Sequence, residues 1–362
     1  MATSLLLPIL LFSLLITAST NKLRKFSAVF YFGDSTLDTG NNGYIPTIIN
    51  ANHFPYGKDF PGNKPTGRFS NGLLVPDLLG MKLGLTKFSS PFLDPSVSEN
   101  DMRVGVNFAS AGSGFDETTS HIWNTIPMSR QVEMFKSYLT RLEFVVGKEE
   151  ASRIIANSLI LISAGTNDFT RNYYHATNKR KKSIDEYQDF VLQKVEMTLK
   201  ELYYLGGRSF SVANLPPFGC TPLQITLSLR DTKDRECVDY MNNDATVYNS
   251  KLRYLLDGLQ EKLDRGKFVY IDAYGAFMDI LENSSLHGFQ DTNRGCCGTG
   301  LTEVGPLCNF LTPTCKNVSS YIFYDAVHPT QRVYQLLTDT AIITTMQQFS
   351  NDDYYATHIG NN

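Results

Sequence analysis

Short, almost continuously apolar runs recur along the chain, separated by stretches in which apolar residues return every three or four positions. The runs at 28–32, 104–108, 159–163, 210–212 and 268–271 have the length and composition of strands. Their lack of alternation predicts strands covered on both faces, as in a parallel sheet flanked by helices. Residues 131–146, 184–205 and 244–263 carry the spacing of amphipathic helices. A last helix is expected over 331–346, entered through Pro329 with Thr330 in position to cap it. Strands alternating with helices predict a three-layer α/β/α sandwich with a central parallel sheet and right-handed crossovers. No repeat, low-complexity tract or linker divides the chain, so 27–348 reads as one domain and 349–362 as a polar tail.

The N-terminus changes the picture by placing the protein outside the cell. Residues 5–16 are nearly all apolar, the length of a signal-peptide core and too short to span a bilayer. Small residues at 17–20 follow, so 1–20 reads as a cleaved leader; nothing basic precedes the apolar run, which leaves an uncleaved anchor open. No later segment is apolar enough to insert stably in a membrane. Six cysteines (Cys220, Cys237, Cys296, Cys297, Cys308, Cys315) suit an oxidising compartment. Six thiols allow 15 pairings, and the adjacent Cys296 and Cys297 are expected to take different partners. The last four lack the paired C-x2-C spacing of a zinc site. Asn283-Ser284-Ser285 and Asn317-Val318-Ser319 are glycosylation sequons. With 42% apolar and 19% charged residues and a net charge of -3, the chain is globular. The basic run at 179–182 reads as a solvated loop, so no nucleic-acid partner is expected.

The candidate chemistry lies just past three of the expected strands. Gly33-Asp34-Ser35 follows the first, Gly112 lies beyond the second, and Gly165-Thr166-Asn167-Asp168 follows the third. Ligands of parallel sheets bind at the carboxyl ends of the strands, so these segments should converge on one edge. Ser35 is the candidate nucleophile, turned outward at Gly33, with Asp34 holding the turn. His328 is the candidate base. Asp325, three residues before it, can fix its tautomer and stabilise the imidazolium, and Pro329 keeps His328 in an extended loop. The Ser35 backbone N–H, Gly112 and the Asn167 side-chain amide are candidate oxyanion donors.

With these residues in view, the chain resembles the GDSL esterase/lipase family of the SGNH hydrolase superfamily, in its secreted plant branch. The likeness runs from about residue 29 to 346. It rests on Phe32-Gly33-Asp34-Ser35, on Asp38 to Asn42, on Gly67-Arg68-Phe69-Ser70-Asn71-Gly72 and on Asn107 to Gly114. Gly165 to Asp168, Asn214 to Cys220, Cys296-Cys297-Gly298 and Asp325 to Pro329 complete it. The resemblance implies Ser35 as nucleophile, Gly112 and Asn167 completing the oxyanion hole, Asp325 and His328 finishing the triad, and no cofactor or metal. Thr36 replaces the leucine of the family name, and Ala111 stands where many relatives have glycine.

These residues predict a secreted carboxylic ester hydrolase acting on small-molecule or lipid esters through an acyl-enzyme. A typical α/β-hydrolase is excluded, since no G-x-S-x-G pentapeptide occurs. Acyl transfer by the same triad, and a catalytically silent extracellular protein of the same fold, stay open. Most of the 23 Phe and 19 Tyr are expected in the core rather than around a substrate channel.

Overall fold

The computed structural model describes residues 26–175, 182–228 and 235–359, apart from the side chains of 350–359. The leader at 1–20 and most of the basic run at 179–182 lie outside the described residues. The described elements follow one another as β1 (Val29–Gly33), α1 (Val75–Lys82), α2 (Glu99–Val104), α3 (Glu117–His121), α4 (Met128–Val146), α5 (Lys148–Ala156) and β2 (Leu159–Ser163). Then come α6 (Ile184–Tyr204), β3 (Ser209–Ala213), α7 (Pro222–Leu227), α8 (Asp239–Lys262), β4 (Lys267–Ile271), α9 (Ala273–Glu282), β5 (Asp291–Gly295), β6 (Tyr321–Phe323) and α10 (Gln331–Ile359).

Strands β1 to β4 pair in that order, all parallel. Successive side chains of a strand point to opposite faces, and both faces are packed. Phe30, Phe32, Ile160, Ile162, Phe210 and Phe268 meet α4, α5, α6 and α8. Val29, Tyr31, Leu159, Leu161, Val269 and Ile271 meet α1 and the α10 residues Met346 and Phe349. This is the expected three-layer sandwich, and the double burial explains why the strands read as unbroken apolar runs. The first layer is the aromatic one: Phe32 stacks on Phe108, and Phe135 on Tyr138. Each such ring removed from water contributes about 1.5–3 kcal/mol.

Three expectations are corrected. The run at 104–108 is not a full strand. Helix α2 ends at Val104, Gly105 follows at φ 99°, and the segment meets β1 at a single bridge, Asn107 beside Tyr31. It still occupies the sheet edge, because Phe108 N–H donates to the Tyr31 carbonyl (2.8 Å) and Ser110 N–H to that of Gly33 (3.0 Å). Counting this edge segment, the chain steps from β1 to one side and then returns to place β2 on the other, so β1 is the switch point of the sheet.

Helix α10 continues to Ile359, through most of the segment set apart as a tail. Thr330 precedes that helix and its carbonyl accepts the Tyr334 N–H (3.1 Å), but its hydroxyl donates to the Tyr321 carbonyl (2.9 Å) and, among the described residues, accepts no helix N–H. The Gln331 N–H instead donates to Asn71 Oδ1 (2.8 Å), and Gln331 Oε1 accepts the Leu73 N–H (2.7 Å). The 67–72 segment thus docks the start of α10, just beyond His328.

Beyond α9 the chain has little apolar pattern, and disulfides hold it. Cys296 bonds Cys315 and Cys297 bonds Cys308, so the adjacent pair does take different partners. Cys220 bonds Cys237. Closing loops of this length stabilises the fold by about 3 kcal/mol each in the chain-entropy model. Among the described residues, no helix is long and apolar enough to cross a membrane.

Candidate active site

Gly33 ends β1 at a place where no other residue fits. Its φ is 153°, and a Cβ there would lie 2.0 Å from the Ser163 carbonyl oxygen of β2. That same oxygen accepts the Asp34 N–H (3.1 Å), which turns the chain out of the sheet. Asp34 holds the turn as expected: its Oδ1 accepts the Thr36 N–H (3.0 Å) and hydroxyl (2.9 Å). Gln131 clamps the turn from α4, accepting the Gly33 N–H and donating to its carbonyl, each at 2.8 Å. Ser35 is left at the carboxyl end of the switch-point strand.

His328 arrives from the far end of the chain, with Nε2 2.8 Å from Ser35 Oγ. Its Nδ1 lies 2.7 Å from Asp325 Oδ2. A carboxylate can only accept, so Nδ1 carries the proton and Nε2 is free to accept from the serine hydroxyl. Asp325 is fully buried and surrounded by donors. Its Oδ1 accepts the backbone N–H of Val327 (2.8 Å) and of His328 (2.7 Å), and its Oδ2 also accepts the Tyr56 hydroxyl (2.6 Å). The Tyr56 oxygen in turn accepts the Gly305 N–H (2.8 Å). Burial and the Asp325 charge push the Tyr56 phenol well above its usual range, which keeps it a donor. The Phe69 ring lies against the imidazole, centroids 4.6 Å apart.

The neighbouring loops leave two backbone donors unspent. The Ala111 N–H donates to Asp38 Oδ2 (2.9 Å) and the Ser113 N–H to the Ser110 carbonyl (3.1 Å). Between them, Gly112 sits at φ 80°, and among the described residues neither its N–H nor that of Ser35 meets a protein acceptor. Asn167 Nδ2 donates one hydrogen to the Ser113 carbonyl (2.9 Å), which fixes the amide and leaves its second hydrogen. Asp168 ties the two loops together by accepting the N–H groups of Phe115 and Asp116 and the Thr119 hydroxyl. A Cβ at Gly114 would overlap that carboxylate at 2.2 Å. All five site residues expected from sequence are thus at one edge of the sheet. Tyr56, Gln131 and Gly305, which fix their positions, carry no sequence signal of that role.

Two cavities meet at Ser35 and His328. The narrower, about 200 Å3, runs between the sheet and the α9–α10 layer and is walled by Leu161, Ile271, Ala276, Phe277, Phe218 and Leu337. The 214–220 segment forms one side of it through Asn214, Pro216, Pro217 and Phe218. The wider, about 890 Å3, passes Gly112 toward Trp123 and Arg171. Asn283 and Asn317 are both exposed, away from these cavities.

A family model described as GDSL-like lipase/acylhydrolase matches residues 29–340. A GDSL esterase/lipase of Arabidopsis thaliana is 44% identical over 341 residues, covering 93% of this chain and 92% of its own length. A second from the same plant is 45% identical over 325 residues, 88% of this chain and 90% of its own length. A third is 43% identical over 324 residues, 89% of this chain and 90% of its own length.

Proposed function

The chain belongs to the GDSL-like lipase/acylhydrolase family, and from that premise we propose that it is a secreted serine esterase/lipase working through an acyl-enzyme on Ser35. The observation that carries the reading is the unbroken relay Ser35 Oγ–His328 Nε2 (2.8 Å) and His328 Nδ1–Asp325 Oδ2 (2.7 Å). Ser35 attacks the ester carbonyl as His328 takes its proton, and the Asp325 carboxylate stabilises the imidazolium without becoming protonated. The negative oxygen is received by the Ser35 and Gly112 N–H groups and the free hydrogen of Asn167, donors set before the charge develops. His328 returns the proton to the leaving alcohol, and water then repeats the sequence to release the acid. Export is supported by the leader-like 1–20 segment, the three disulfides and the exposed Asn283 and Asn317 sequons.

Ser35→Ala tests the core of this reading. A fluorophosphonate probe is expected to label the wild type and not the variant, with ester turnover lost and the melting temperature retained. Equal labelling of both would move the nucleophile elsewhere.

A further inference from the structure

Arg171 is a cation at the site that the acyl-enzyme mechanism does not use. It lies in a π-helical turn, Asp168–Tyr173, that begins directly after Asn167, a helical irregularity of the kind that often re-aims side chains at functional sites. Its guanidinium stacks over Trp123 (5.4 Å to the ring centroid) and lines both cavities beside Ser35 and His328. Nη1 is buried with no hydrogen-bond partner, and among the described residues no carboxylate lies within ion-pair distance. The two buried arginines, by contrast, are engaged: Arg68 grips Asp77, and Arg235 donates to the carbonyls of Pro222 and Asn293.

The two carboxylates whose charge reaches Arg171 are Asp325 and Asp34. Asp325 already accepts from His328, Val327 and Tyr56, and Asp34 from Thr36. Lys182 also lines the wider cavity, as does His175, whose Nε2 lies 2.8 Å from Gln224 Oε1. The one acidic side chain lining it, Asp116, is taken up by Thr118, Asn172 and Tyr187. A guanidinium partly removed from water and given no partner is costly, and its best complement is a planar or tetrahedral oxyanion taken by two N–H groups.

We propose that Arg171 determines specificity: its guanidinium receives an anionic group, carboxylate or phosphate, on the alcohol portion of the ester, while the acyl chain occupies the narrower apolar cavity. This rests on the serine-esterase reading above. Both cavities are mostly apolar and Arg171 lines both, so charge rather than polarity assigns the two halves of the substrate. Lys182 joins Arg171 on the wider cavity alone, which suits the anionic half, whereas Asp34 and Asp272 line only the narrower one and leave it to the hydrocarbon.

The test compares octanoate esters of 4-hydroxybenzoate, of 4-hydroxyphenyl phosphate and of the neutral 4-hydroxybenzamide. Wild type is expected to favour an anionic ester by about 10- to 100-fold in kcat/KM, the range of a charge-assisted hydrogen bond, carried mainly by KM. The carboxylate and phosphate arms show which oxyanion fits. In Arg171→Met the ratio of anionic to neutral ester should fall toward one, and Arg171→Lys should recover part of it. Equal slowing of all three esters in Arg171→Met would mean that the guanidinium acts on the triad carboxylates, and would overturn the proposal.

Should Arg171→Met fail to fold, inhibition of wild-type turnover answers the same question. Benzoate or phenyl phosphate should compete with the neutral ester at fixed ionic strength far better than benzamide, and equal inhibition would overturn the proposal. Fluorophosphonate labelling and turnover of the neutral ester report on the esterase reading separately. If both occur without charge preference, only the Arg171 assignment fails. If neither occurs, both fail.

Discussion

Tyr56 and Asp325, 269 residues apart in sequence, share a 2.6 Å hydrogen bond on the same carboxylate oxygen that receives His328 Nδ1. The phenol bonds the carboxylate and lines neither cavity at Ser35, so it acts through Asp325 rather than on substrate. It fixes the rotation of the carboxylate and so the angle at which the imidazole faces Ser35.

Tyr56→Phe removes that donor and leaves the Gly305 N–H without its acceptor. We expect kcat to fall about tenfold, the worth of a hydrogen bond to a charged group, with KM little changed. Fluorophosphonate labelling should slow in proportion. A variant with unaltered labelling rate would show that the backbone N–H groups of Val327 and His328 fix Asp325 on their own.

Asn167→Ala removes a side-chain donor from the proposed oxyanion site. Losing one such donor costs about 10²–10³ in kcat, with KM nearly unchanged because the ground-state carbonyl needs it less. The amide also donates to the Ser113 carbonyl, so a thermal melt is run alongside. A loss confined to KM would place Asn167 in substrate binding rather than in charge stabilisation.

Arg68→Met tests the segment before the site. Arg68 Nε and Nη2 hold both oxygens of Asp77 at 2.8 and 2.7 Å, and its other hydrogen bonds reach the carbonyls of Thr39 and Ser89 and the Thr66 hydroxyl. Both side chains are buried, so removing one partner strands a charge and should cost about 3–5 kcal/mol in urea unfolding. Arg68→Met/Asp77→Leu should recover part of that loss. No recovery would mean that the carbonyl contacts, rather than the ion pair, carry the stability.

The strands that face helices on both sides were legible because burial on both faces writes itself as unbroken apolar sequence. Ser35, Asp325 and His328 were legible because their chemistry needs particular residue types at strand ends and at a three-residue spacing. The 104–108 run misled because apolar content cannot report pairing: the Asn107 side chain donates to the Leu37 carbonyl and accepts the Ala109 N–H, replacing ladder bonds with side-chain ones. Strand β5, with the sequence Asp-Thr-Asn-Arg-Gly, has no apolar signal at all, and neighbouring disulfides hold its surroundings. Asn71 as the partner of the α10 start, and Tyr56 as the partner of Asp325, depend on contacts across the whole chain that no local pattern encodes.

Gly305, whose N–H anchors the Tyr56 oxygen, lies inside the loop closed by Cys297 and Cys308. The last link of the hydrogen-bond series that ends on His328 is therefore held by a covalent bond formed only under oxidising conditions. In chain whose thiols stay reduced that loop is not closed, so the Gly305–Tyr56 link would loosen while the Val327 and His328 N–H groups still hold Asp325.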